Sequence, residues 1–253
     1  DIMNIPQQNH ILVGLGGTCG KVLKAFKKRL FQEFTPEERA KLPIGFLYVD
    51  TTDEMMHPGD KSWYVLGENA QFNANEFLYI KGIQLEQVFA SPSSYPGLKG
   101  VVGDPEVMQK SIGTLGVAAG QMRRAGRILF GANVSMYRVA MENVYKRVNE
   151  ISKASGTCIY IVGGLAGGTG SGSIVDVVAQ TRMIDAFKEE YHTMDGGKSV
   201  GTNIVAYTMI PEITPPAGSD EGRYHANGYA ALEELNALLC GAWKPYDLTG
   251  MSP

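Results

Sequence analysis

The 253-residue sequence has few of the residues that build covalent or metallic cross-links. Its three cysteines, Cys19, Cys158 and Cys240, are scattered with no Cys-x-x-Cys pair, and the four histidines show no His-Glu-x-x-His spacing. This excludes a disulfide scaffold and the common zinc sites, and it fits a reduced, cytoplasmic compartment. An excess of one charge is also lacking: 23 Lys and Arg stand against 26 Asp and Glu, a net charge of -3. Nucleic acid is therefore not the expected partner, because no broad basic footprint is available for it. No apolar run reaches the ~18 residues of a membrane span, and the polar start Asp1-Ile2-Met3-Asn4 lacks the charged and apolar regions of a signal peptide. The chain reads as soluble, with no internal repeat or low-complexity tract.

Present instead are short apolar runs that end in glycine or in polar turns. Ile11-Leu12-Val13 is bounded by Gly14, and from Lys21 the pattern changes to helical spacing through Val22, Ala25, Phe26 and Leu30. A second short strand, Ile44 to Val49, empties into Asp50-Thr51-Thr52-Asp53. Met55 to Gly103 mixes short apolar runs with Ser91-Pro92-Ser93-Ser94-Tyr95-Pro96-Gly97 and reads as strands and surface connections. From Gln121 to about Ile151, the positions Ile128, Leu129, Val134, Tyr137, Met141, Val144, Tyr145 and Val148 predict one or two amphipathic helices. Cys158 to Val162 is the next strand, followed by the densest glycine cluster of the chain and a helix whose core face is Ile174, Val177, Val178, Ile184 and Phe187. A turn at Asp195-Gly196-Gly197 leads to a strand from Ile204 to Ile210, and after the Pro/Gly loop from Pro211 to Gly222 the segment Ala226 to Leu239 returns to helical spacing. Strands alternating with helices predict an α/β, Rossmann-like fold in one domain, a mostly parallel sheet flanked by helices with its binding crevice at the carboxyl ends of the strands.

Two glycine turns fall at such ends. Gly14-Leu15-Gly16-Gly17-Thr18-Cys19-Gly20-Lys21 joins a strand to a helix amino terminus, where unpaired N–H groups and the helix dipole attract anions. Alone it would also suit a dinucleotide enzyme, with Asp50 on the ribose, or a bland tight turn. It is not a Walker A loop: Leu15 stands six positions before Lys21 where that motif needs glycine, and Val22 follows where it needs Ser or Thr. The second turn, Ala166-Gly167-Gly168-Thr169-Gly170-Ser171-Gly172, makes a second anion nest, which a nicotinamide enzyme has no use for.

These seven residues resemble the tubulin signature, Ser/Ala/Gly-Gly-Gly-Thr-Gly-Ser/Ala-Gly, at every position. Gly17-Thr18-Cys19-Gly20 is similar to tubulin's first loop, Gly-Gln-Cys-Gly, with Thr18 in place of Gln and Lys21 in place of the usual Asn. The chain thus resembles the nucleotide-binding domain of tubulin and of its bacterial homologue FtsZ, and most of all a divergent prokaryotic tubulin-like protein. The resemblance implies GTP or GDP with Mg²⁺, phosphates on Gly16, Gly17, Thr18, Cys19 and Gly20 and on Ala166, Gly167, Gly168, Thr169, Gly170 and Ser171, and Asp50 beside the metal. For the loop that senses the γ-phosphate there are two candidates: Gly100 to Gly103, and the preferred Gly116-Val117-Ala118-Ala119-Gly120, which precedes a helix with Arg123 or Arg124 in its first turn. Those arginines read equally as solvated charges. The resemblance assigns the ribose to Glu221, or second to Asp220. It further implies a filament assembled head to tail, in which the next subunit completes GTP hydrolysis; a nucleotide-dependent scaffold that does not polymerise is the alternative. Residues 1–253 would be the nucleotide-binding domain of a longer protein, cut before the central helix and activation domain.

Overall fold

The structure is a computed structural model that describes residues 8–80, 85–112, 121–154 and 156–250. Its centre is a six-stranded sheet built from β1 (Asn9–Leu15), β2 (Ile44–Asp50), β3 (Phe77–Tyr79), β4 (Gly156–Gly164), β5 (His192–Thr193) and β6 (Ser199–Met209). The spatial order is β3-β2-β1-β4-β6-β5, parallel throughout except for the short antiparallel β5. Sheets of this kind are covered on both faces, and the near-continuous burial of β1, β2 and β4 follows from that.

The principal helices are α1 (Gly16–Glu33), α2 (Arg123–Ala132), α3 (Val134–Ser152), α4 (Gly168–Met183) and α5 (Tyr224–Leu239). The larger core lies between the sheet and α2, α3 and α4, with Ile128, Tyr137, Met141, Val144, Ile174 and Val177 fully enclosed. Of the one or two helices expected from Gln121, the structure has two. Asn133, buried at the break, donates its amide to the carbonyls of Leu129 at 2.8 Å and Ile80 at 3.0 Å.

A smaller core lies beneath α1 and corrects the sequence reading of that helix. Its buried face is Cys19, Leu23 and Lys27, one residue out of step with Val22, Ala25 and Phe26 of the expected stripe, which are exposed, while Leu30 is half-buried against this core. Lys27 is tolerated there because its ammonium meets Glu76 at 2.5 Å and donates to the carbonyl of Gln71, while its stem lies against the rings of Phe46 and Phe72.

The last long strand also differs from expectation. β6 begins at Ser199, since the polar residues Ser199, Thr202 and Asn203 hide its first half from a hydrophobic reading. Beyond Thr202, the outer side of β6 has no strand paired to it among the described residues.

Candidate functional site

The strand order reverses between β1 and β4, which is where an open parallel sheet forms its crevice. Leu15 and Gly163 are register partners at that point, so the two strands finish side by side. Gly16 turns the chain straight from β1 into α1 at φ +78, a left-handed conformation that favours glycine. On the other side, Leu165, Ala166 and Gly167 link β4 to α4. Both helices therefore start at the mouth of one cleft of about 290 Å³. Neither start carries a side-chain cap or an acidic residue in its first turn. The orphan N–H groups and positive dipole ends of two helices thus converge on the same space.

The cleft is lined by Gly16, Gly17 and Thr18 from one turn and by Ala166, Gly167, Gly168, Thr169 and Gly170 from the other. A Cβ at Gly167 would meet nothing within 4 Å. Gly170 is held differently, since a Cβ there would stand 2.6 Å from the carbonyl oxygen of Gly164. The remaining loop residues fall behind the lining. Cys19 is fully buried, its thiol pushed up to about 12 by that burial, which makes it an inert packing residue. Gly20 lets α1 rest on Tyr48, whose ring a Cβ would approach to 2.5 Å. Ser171 turns inward to donate to the carbonyl of Gly167.

Asp50 ends β2 at the cleft wall and is only 3% exposed. It accepts a hydrogen bond from the hydroxyl of Tyr48 and another, at 2.7 Å, from the N–H of Thr51. Burial raises its pKa against the pull of those two bonds. The hydroxyl of Thr51 meets that of Thr169 at 3.3 Å, joining the end of β2 to the first turn of α4.

The loop after β6 and the start of α5 contribute two residues that the sequence reading missed. Glu212 and Tyr224 line the cleft, and the Tyr224 hydroxyl donates to the Glu212 carboxylate, holding that group below the usual range. Asp220 and Glu221 do not line it. Asp220 accepts from the N–H groups of Gly222 at 2.7 Å and Tyr224 at 3.3 Å, at the start of α5, and the side chain of Glu221 is exposed. The backbone of Glu221 is tethered instead, donating to the Gln121 amide oxygen at 3.0 Å. Asn227, 5% exposed, donates to the carbonyls of Gln121 at 2.9 Å and Ala166 at 2.8 Å. These two amides tie the loop to the second glycine turn, and an isolated Gln and Asn give no sequence signal of it. Gly116, Ala118, Ala119 and Gly120 lie outside the described residues. Arg123 points away from the cleft lining, pairing with Glu234 at 2.7 Å and donating to the Ser171 carbonyl at 2.9 Å.

A family model described as "Tubulin like" matches residues 11–251. The chain belongs to the tubulin-like family. Its fold is shared with CetZ from Methanosaeta thermophila strain DSM 6194, at a TM-score of 0.54 and 15% identity over 91% of this chain and 43% of that one. The GDP-bound monomer of CetZ1 from Haloferax volcanii aligns with a TM-score of 0.49 and 12% identity, over 90% of this chain and 47% of that one. The tubulin-like chain therefore spans less than half the length of either structure. Among curated proteins there is no significant match.

The donor set of the tubulin-like chain suits Mg²⁺ only in company. No group of three or more His, Cys, Asp or Glu able to hold a metal occurs among the described residues. Asp50 is a buried carboxylate without a basic partner in its hydrogen bonds. A single carboxylate beside a polyanion is the usual arrangement for Mg²⁺, which keeps most of its ligands from phosphate and water.

Proposed function

We propose that the chain is the nucleotide-binding part of a GTP-binding tubulin-like protein, with the phosphates lying between the starts of α1 and α4. The observation that carries this reading is the convergence of two uncapped helix amino termini on a cleft with an unobstructed glycine at its lip. Family membership supports guanine as the base and Mg²⁺ as the counterion. Backbone N–H groups of both glycine turns would hold phosphate oxygens, and the Thr169 hydroxyl, already fixed by Thr51, would place one of them. When bound, Mg²⁺ would neutralise phosphate charge, and Asp50 is the residue that would hold it. Glu212, on the loop after β6, and Tyr224, at the start of α5, stand at the cleft, with Glu212 as an acceptor for sugar hydroxyls in place of Glu221, which does not line it.

Phosphoryl transfer also needs a water positioned by an acidic residue, and in tubulins that acid comes from the next subunit of a filament. The full-length protein would accordingly assemble head to tail in the cytoplasm and hydrolyse GTP there, while the present chain binds without turnover. GTP titration of the dilute, monomeric chain tests this. One nucleotide per chain, background phosphate release, and a Mg²⁺ enhancement of affinity that Asp50→Asn abolishes are the expected results. Steady turnover by the monomer would overturn the division of the site between subunits, and an unchanged Mg²⁺ response would remove Asp50 from the metal.

A further inference from the structure

Behind the glycine turns, a second cavity of about 300 Å³ lies among α2, α4 and α5. Arg123, Arg124 and Arg127 line it together with Glu234. On α2, Arg127 neighbours Arg123 at i,i+4 and Arg124 at i,i+3, which brings all three to the cavity. Two of the three are neutralised. Arg123 pairs with Glu234 at 2.7 Å, and Arg127 grips the fully buried Asp176 through two bonds of 2.6 and 3.1 Å. Arg124 has no carboxylate partner among the described residues, its guanidinium meeting only the Met108 sulfur at 3.8 Å. A thioether is a weak acceptor for a full cation.

The backbone adds to the imbalance. α2 begins at Arg123 with no side-chain cap and no acidic residue in its first turn, so the positive end of the helix dipole coincides with the arginines. Cations are disfavoured at that end of a helix and anions favoured. Guanidinium groups present paired N–H donors that match the oxygens of a phosphoryl group.

We propose that this cavity is a phosphate site separate from the nucleotide cleft, taking free phosphate or a phosphate monoester with Arg124 as its principal ligand and Arg123 as the second. Arg123 also holds the carbonyl of Ser171, which gives the site a direct connection to the first turn of α4.

The test is phosphorus NMR line broadening and calorimetric titration of the whole chain with inorganic phosphate and, separately, with O-phosphoserine. Three proteins are compared: the wild type, Arg124→Ala, and Gly167→Val, in which the nucleotide cleft is filled. Arg124 is exposed, so its replacement should leave the melting temperature unchanged. The expected result is saturable phosphate binding that Gly167→Val retains and Arg124→Ala weakens by roughly tenfold or more, with Arg124→Lys restoring part of it. Binding of the ester as well as the free ion identifies monoesters as ligands, and binding of the ion alone identifies free phosphate. No saturable binding, binding indifferent to Arg124→Ala, or binding lost in Gly167→Val would each overturn the proposal.

Discussion

A side chain added at Gly167 would enter open space from a backbone conformation, φ -81 and ψ 175, that any residue adopts. One added at Gly170 would press on the carbonyl oxygens of Gly164 and Leu15, 2.6 and 3.1 Å away. The two glycines share a motif but serve different ends, the first leaving room for a ligand and the second letting α4 close on the strand ends. Gly167→Val should therefore keep the fold, losing at most about 1 kcal/mol at the helix start, while GTP binding disappears. Gly170→Ala should lower stability by about 1–3 kcal/mol through overpacking. Thermal unfolding combined with GTP titration of both variants separates the roles, and a destabilised Gly167→Val that still binds would reverse them. The sequence motif marks both glycines alike because it records residue type, not which neighbour each one approaches. Cys19 and Gly20 illustrate the same limit: they stand in a loop-like motif but pack α1 onto Tyr48.

At the scale of elements, the alternation of short apolar runs with helical spacing was enough to read the parallel sheet, since buried strands announce themselves as continuous Val, Ile and Leu. The first half of β6 escaped that reading because polar residues remove the signal, and the three-residue β3 is too brief to be placed more closely than among the strands and connections of Met55 to Gly103. The contact between α2 and α4 is likewise invisible in the sequence, although it fixes the second glycine turn: a Cβ at Gly126 would stand 2.4 Å from the Gly168 oxygen, and one at Gly172 would stand 2.1 Å from the Arg123 oxygen. Across that contact runs the Arg127–Asp176 pair. Burial lifts Asp176 to about 6, against the pull of Arg127. The folded chain thus takes up a proton there that the unfolded chain, titrating near 3.8, does not. The stabilisation this brings is complete below 3.8 and is lost as the pH rises through about 6. Arg127→Met leaves a buried carboxylate without its counterion, and near neutral pH the loss should be about 3–5 kcal/mol. Toward about pH 5 the loss should shrink, because protonation of the carboxyl relieves the unpaired charge. Urea unfolding at both pH values checks this; a loss that does not change with pH would instead assign Arg127 a packing role against Trp243, whose ring centre lies 5.5 Å from its guanidinium.

For the whole molecule, the outer side of β6 beyond Thr202 carries main-chain groups with no strand against them among the described residues, beside exposed Tyr207 and partly buried Ile204 and Val205. Such a row is a template for another strand, whether from elsewhere in a longer chain or from a second molecule. Its consequence concerns colloidal behaviour more than nucleotide chemistry. The isolated chain should associate reversibly as its concentration rises, with or without GTP, and Tyr207→Lys should shift the onset of light scattering to higher concentration while leaving GTP affinity intact. Scattering that instead required GTP would point to the nucleotide face. A preparation meant for binding measurements is therefore limited in its working concentration by an uncovered strand on the far side of β4 from β1, and solubility becomes a direct report on whether that strand has found its neighbour.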